Sequence, residues 1–128
     1  MAERYGGDYI DTVLKNDATI TALVSDKIEE GPLFTKDNTS KNTINFYKTG
    51  PVNKALEYDS FQWSVDCRGE SYTKSRDIAT AAADALNRAG STVNSKLYFS
   101  VVEILRTLPP VNDTDVYNTP VQVTIRRR

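Results

Sequence analysis

From Ser60 to Arg68 the chain alternates without a break: Phe61, Trp63, Val65 and Cys67 interleave with Gln62, Ser64, Asp66 and Arg68. Successive side chains of a strand point to opposite faces, so this run specifies a strand with one buried and one polar face. Such a strand needs a partner, and Ile44 to Thr49 supplies one. There Ile44, Phe46 and Lys48 fall on one side and Asn45, Tyr47 and Thr49 on the other, with Gly50-Pro51 as a stop. The two are expected to form an antiparallel hairpin across a long loop, Gly50 to Asp59.

The apolar face of that hairpin needs a cover, and the sequence offers helices for it. The strongest spans about Lys74 to Ala89, where Ile78, Ala81, Ala82, Ala85, Leu86 and Ala89 repeat at helical spacing. Small alanines let its axis approach a sheet closely. Thr73 is the expected N-cap and Gly90 the C′ residue, with Asp84 and Arg88 as an i, i+4 pair. Two shorter helices precede the hairpin. Tyr9 to Asn16 buries Ile10, Val13 and Leu14, with Asp8 as a cap; Asn16-Asp17 breaks and recaps the chain, and Ala18 to Ser25 buries Ile20, Leu23 and Val24. Glu30-Gly31-Pro32 ends that segment.

Two strands close the chain. Lys96 to Leu108 carries Leu97, Phe99, Val101 and Leu105 on one face and Tyr98, Val102 and Ile104 on the other, the pattern of a central strand covered on both sides. Pro109-Pro110 ends it. Thr119 to Arg126 resumes alternation, with Val121, Val123 and Ile125 inward. The expectation is one α+β domain over residues 1–128: a mostly antiparallel four-stranded sheet with helices packed on it, in the order α-α-β-β-α-β-β.

Composition narrows the function. Counting Gly but not Tyr, roughly 38% of residues are apolar, against about 45–50% in a typical soluble domain. So lean a core suits a subunit that gains burial from a partner. Sixteen basic and 17 acidic residues nearly cancel, which argues against a dedicated nucleic-acid binder. There are no histidines and one cysteine, Cys67. That excludes Ser-His-Asp and Cys-His nucleophile systems, the common zinc sites and any intrachain disulfide. The start Met-Ala-Glu-Arg-Tyr-Gly-Gly-Asp has no apolar signal core, and no run approaches the roughly 20 apolar residues of a membrane helix. A reducing, intracellular setting is the simplest expectation.

No motif carries chemistry. Gly6-Gly7 lacks the Gly-Lys-Ser/Thr frame of a phosphate loop, and Asn112-Asp113-Thr114-Asp115 lacks the later Gly and Glu of a calcium loop. Cys67 shares the apolar face with Trp63 and Val65 and reads as an inert buried thiol. Glu29-Glu30, and Glu57 with Asp59, read as solvated carboxylates. What remains are candidate contact segments. Thr35 to Thr43 contains no apolar side chain, so nothing in it offsets the entropy of ordering; it reads as a mobile surface loop or one that orders against a partner. A polar loop after Pro109-Pro110, within Leu108 to Asn118, is a second candidate contact segment, and Arg126-Arg127-Arg128 is either a solvated strand end or an electrostatic contact. The candidate interface residues are Lys36, Asp37 and Lys41, then Asn112, Asp113 and Asp115, then Arg126, Arg127 and Arg128.

The stretch Leu14-Lys-Asn-Asp17-Ala-Thr-Ile20-Thr-Ala-Leu23-Val24-Ser-Asp-Lys-Ile28 resembles the N-terminal signature of phage tail terminator (tail completion) proteins. The following polar stretch, the strand pair, the Ala-rich helix after Tyr72-Thr73 and the closing strands ending Val121-Gln-Val123-Thr-Ile125 fit the same order. The resemblance implies an α+β subunit without an active site or cofactor, located in the virion at the head-proximal end of the tail. It implies a homo-oligomeric ring of six that stops tail tube polymerisation and presents a surface to the head-closure protein. DNA passes through such a ring only as cargo, and no membrane is involved. Two other readings stay open: another neck component, such as a head-closure or connector protein, and a small cytoplasmic protein-binding module.

Overall fold

The computed structural model describes residues 7–31, 41–50, 53–54, 59–87, 90–93, 96–110 and 116–127; for 53–54, 59, 90–93, 96–99 and 127 it describes the backbone. Three helices and seven strands follow in the order α1 (Gly7–Lys15), α2 (Ala18–Val24), β1 (Ile28–Glu30), β2 (Thr43–Lys48), β3 (Asn53–Lys54), β4 (Asp59–Gly69), α3 (Tyr72–Asn87), β5 (Gly90–Val93), β6 (Lys96–Ile104) and β7 (Tyr117–Arg127). They form a single sheet in the order β1-β2-β4-β7-β6-β5, with β3 paired to β4.

The α+β class expected from the sequence holds, and the sheet is larger and mixed. Three short strands were not expected. β1 spans three residues, β3 two and β5 four, too short for alternation to be visible. β1 pairs parallel with β2, Ile28 opposite Ile44, while the other pairs are antiparallel. Gly31, at φ 135°, turns the chain out of β1 in a conformation that favours glycine. The expected hairpin of β2 and β4 is present with Phe46 opposite Val65, and β3 extends it.

The central strands are β4 and β7, eleven paired positions long from Asp59↔Arg127 to Gly69↔Tyr117. β6, expected to be central, lies next to the edge strand β5. It ends at Ile104, and Leu108 then makes an isolated bridge to Asn118. Apolar residues on both of its faces suggested double cover, but Val101 is 56% exposed.

All three helices cover one face. Phe61, Trp63, Val65 and Cys67 of β4 and Val121, Val123 and Ile125 of β7 are buried against Tyr9, Ile10, Leu14, Ile20, Ile78, Ala82 and Leu86. Phe46 and Trp63 meet at 5.9 Å between ring centroids. In α2, Asp17 caps as expected, its side chain accepting from the Ile20 N–H at 3.0 Å. In α3 the cap is Ser71 rather than Thr73: its Oγ accepts from the Lys74 N–H at 3.1 Å, which places Thr73 inside the first turn. Asp8 likewise sits inside the first turn of α1. Gly90 opens β5, and the Asp84–Arg88 pair falls outside the described residues because Arg88 does.

The close approach of α3 to the sheet depends on Gly69. A Cβ there would stand 2.5 Å from the Ser75 nitrogen and 2.8 Å from its Cα. Just beyond it, the Ser75 hydroxyl donates to the Cys67 carbonyl at 2.9 Å and meets Thr119 Oγ1 at 2.7 Å; Thr107 Oγ1 joins at 2.8 Å and Arg76 reaches Thr107 at 3.3 Å. This chain of hydroxyls lets polar groups lie under the helix with their hydrogen bonds made.

Candidate interface surfaces

With every helix on one side, no element among the described residues covers the other side of the sheet, the bare face. Register assigns its residues: Asn45 and Tyr47 of β2; Gln62, Ser64, Asp66 and Arg68 of β4; Asn118, Pro120, Gln122 and Thr124 of β7; Val101 and Glu103 of β6. Most of these are polar, as the alternation of β4 requires.

The bare face has an ordered centre. Asp66 is 4% exposed and Asn45 is fully buried, although neither lies under a helix. Tyr47 Oη donates to Asp66 Oδ2 at 3.2 Å and Ser64 Oγ donates to Asp66 Oδ1 at 3.1 Å. Arg68 pairs with Asp66 at 3.6 Å and donates to Asn45 Oδ1, and Asn45 Nδ2 donates to the Gly31 carbonyl at 2.9 Å. Burial, ahead of the neighbouring Asp66, pushes the Tyr47 phenol above its ordinary pKa. The result is a rigid plate of side chains with fixed donors and acceptors. Close by, Asn118 Oδ1 is buried with no hydrogen-bond partner among the described residues.

Apolar groups flank this plate. Val101, Leu105 at 38% and Leu108 at 43% are exposed along and beyond β6. Tyr72, at 55%, stands edge-on to Tyr117 at 6.4 Å where α3 begins.

Of the residues singled out from the sequence, the described ones do not gather at one place. Lys41 is exposed and precedes β2, at the end of the sheet where Thr43 pairs with Arg68. Arg126 is half-buried at the opposite end, opposite Ser60 and Phe99. Eight residues of β4 separate the two ends, about 27 Å at the rise of a strand. The backbone of Arg127 pairs with Asp59 and Tyr98. Lys36, Asp37, Asn112, Asp113, Asp115 and Arg128 lie outside the described residues. The end of the first loop is anchored: Thr43 is buried in β2, and Asn42 Oδ1 accepts from the Glu70 N–H at 3.1 Å. The base of the second is closed by the Leu108–Asn118 bridge, with N–H···O distances of 2.7 and 3.3 Å. The plate around Asp66 was missed because its members become neighbours only once Asn45 is set opposite Asp66.

Cys67 is buried, and burial pushes its thiol pKa well up, with Asp66 adding to the effect. Such a thiol stays protonated and is a poor nucleophile. Among the described residues no group of three or more Cys, Asp or Glu side chains could hold a metal ion, and no helix is long and apolar enough to cross a membrane. A hollow of about 420 Å³ beside α1 and α2 is lined by Lys15, Thr21, Ser25 and Asp26.

An open-faced sandwich with a bare, ordered sheet face defines a class of fold rather than a reaction. No protein-family model and no curated protein matches the sequence. Solved structures do share the fold. A chain from the virion of a native gene transfer agent particle is 15% identical with a TM-score of 0.68, over 92% of this chain and 90% of that one. A second solved chain is 7% identical with a TM-score of 0.62, over 94% of each.

Proposed function

We propose that this chain is a structural component of a phage-like virion, and within that class a tail terminator. The observation that carries the reading is the fold shared, nearly end to end, with a chain of a gene transfer agent virion. The resemblance between Leu14 and Ile28 points to the finer role. In this reading six copies close into a ring on the head-proximal end of the tail. The ring stops addition of tail tube protein, offers a surface to the head-closure protein and lets DNA pass as cargo.

The subunit works by contact and not by catalysis. The bare sheet face supports this: a partly buried plate of hydrogen-bonding groups around Asp66, flanked by exposed Val101, Leu105 and Leu108, suits docking. The absence of histidine from the sequence and the buried, protonated Cys67 leave little for nucleophilic chemistry. The test is deletion of the gene in its own phage, followed by electron microscopy of the tails. Overlong, headless tubes are expected; virions with tails of normal length refute the role.

A further inference from the structure

A strand whose main-chain groups lack partners on one side is a template for another chain, and β6 has such a stretch. Directly after β6, the Leu105 N–H donates to the Pro120 carbonyl at 2.9 Å. Main-chain groups alternate sides along a strand, so the odd-numbered residues of β6 aim theirs at β7. Val102 and Ile104, opposite Val123 and Val121, therefore aim theirs the other way. On that side β5 reaches no further than Phe99, which pairs with Gly90. Among the described residues, nothing is hydrogen-bonded to the outward groups of Val102 and Ile104. Beyond Phe99, β6 is itself an edge of the sheet. We propose that this edge, Val102 to Ile104, takes an extended segment of another protein as an added strand. Its apolar side chains lie against Val101 and Leu105, and a lysine or arginine lies against Glu103. The inference goes beyond the tail-terminator reading and does not depend on it.

Main chain and side chains both specify that occupant. Two N–H and two C=O groups, repeated roughly 7 Å apart along the strand, match an extended main chain rather than a compact ligand. In strand addition the main-chain bonds supply affinity and alternate side chains supply selection. Val101 and Glu103 face the bare side, Leu105 follows at the same spacing, and all three are exposed. The Glu103 carboxylate has no ion pair or hydrogen bond among the described residues. It is the one charge between Ser100 and Leu105, in a stretch rich in valine and free of proline. A second β6 fits this edge poorly. Paired antiparallel about Val102, it would set the two Glu103 residues on one face as diagonal neighbours, about 7–8 Å apart, with like charges. A strand with a basic residue there gains from the same carboxylate.

The probe is a labelled, end-capped peptide, Thr-Val-Thr-Lys-Thr-Val-Thr, beside the same peptide with Glu in place of Lys. Binding is read by fluorescence anisotropy and its location by hydrogen exchange of single amides. In the free chain the Val102 and Ile104 amides are expected to exchange faster than those of Val101 and Glu103, which face β7. The Lys peptide is expected to slow them, and to bind about fivefold or more tightly than the Glu peptide, the worth of a cross-strand ion pair. Glu103→Lys is expected to invert that preference. N-methylation of the inner threonines, whose nitrogens would face the edge, is expected to abolish binding, and N-methylation of the valines and lysine to spare it. Val102→Pro removes one outward N–H, which an edge strand tolerates, and is expected to weaken binding. Circular dichroism verifies that both variants are folded. Slow exchange at Val102 and Ile104 in the free chain overturns the proposal, because the chain itself then covers the edge. So does a Lys peptide that fails to bind, or one indifferent to which nitrogens are methylated or to the charge at position 103. Self-association in sedimentation that Val102→Pro abolishes assigns the edge to a second copy and overturns it too. Each of these failures leaves the tail-terminator reading intact.

Discussion

Consecutive residues of β4 live in different worlds. Trp63 points under the helices and is 1% exposed, packed on Phe46; Gln62 and Ser64, its neighbours, point to the bare face and are partly exposed. On the covered face, stability comes from apolar area removed from water, about 25 cal/mol per Å². On the bare face it comes from satisfied hydrogen bonds, each adding roughly 0.5–1.5 kcal/mol net. The contrast teaches where the molecule can change: the covered face sets whether it folds, and the other face, in the proposed role, is the one that meets partners.

The sharpest way to break this comparison is to truncate across it. Trp63→Ala is expected to lose about 3–5 kcal/mol of unfolding free energy, because the void left between Phe46 and the start of α1 cannot collapse fully. Gln62→Ala, one residue away, is expected to stay within about 0.5 kcal/mol of wild type. Denaturant midpoints measured with an unchanged slope decide it; similar losses for both would erase the distinction between faces. Next in size is Gly69→Ala. Its Cβ would meet Ser75 backbone at 2.5 Å, and backbone yields poorly, so about 1–3 kcal/mol is expected to be lost. If Gly69→Ala melts like wild type, α3 is not held to the sheet as closely as described.

The bare face is not uniformly expendable, and Asp66 sharpens the point. Its two oxygens accept from Tyr47 and Ser64 and pair with Arg68. Asp66→Ala leaves those half-buried partners without their acceptor and is expected to cost about 1–3 kcal/mol. Asp66→Asn keeps the shape and one acceptor and is expected to cost less. An Ala variant as stable as wild type would mean that the plate is surface decoration.

The long strands and the main helix were legible because their patterns repeat often enough to exclude alternatives. β4, β7 and α3 each carry three or more cycles of their period, and the residues assigned inward in β4 and β7 are buried. What was missed fell below that threshold. β1, β3 and β5 are strands because neighbours supply hydrogen bonds, not because their own few residues demand it. β6 does not separate in sequence because apolar residues on two faces fit both a strand covered on both sides and one with a side left exposed, as Val101 is. Ser71 displaced Thr73 as the cap because both are good cap residues and the turn from Gly69 decides between them. Of the candidate contact residues, Lys41 and Arg126 lie at opposite ends of the sheet, a separation set by strand pairing and invisible in either segment alone. Recognition surfaces arise from strand register, which no single segment encodes.

Two tyrosines carry the comparison into pH. Tyr9 lies under the helices, its Oη 3.1 Å from Ser100 Oγ; Tyr47 lies on the bare face against Asp66. Burial is the main reason both phenols titrate above their ordinary value. A group whose folded pKa is raised contributes stability that is fully present below the unfolded pKa and is lost as pH rises through the folded one. Stability should therefore fall above about pH 10, the ordinary phenol value. Tyr9→Phe is expected to flatten that decline more than Tyr47→Phe, since Tyr9 is the more deeply buried. Equal flattening would place the two faces in similar dielectric surroundings.

The smallest expected effect on stability is also the most telling for function. Val101 points out from the bare face of β6, 56% exposed and opposite Thr124. Val101→Thr keeps the β-branched shape that a strand prefers and removes apolar area that the isolated subunit never buried. Thermal unfolding is expected to move by no more than about 0.5 kcal/mol. Capping of tail tubes, if it uses this face, should weaken, because the same methyl group is buried only in the complex. A variant that melts and caps like wild type would take Val101 out of the contact and shift the search to the polar plate beside it. A variant that caps poorly without losing stability would separate recognition from folding within a single strand.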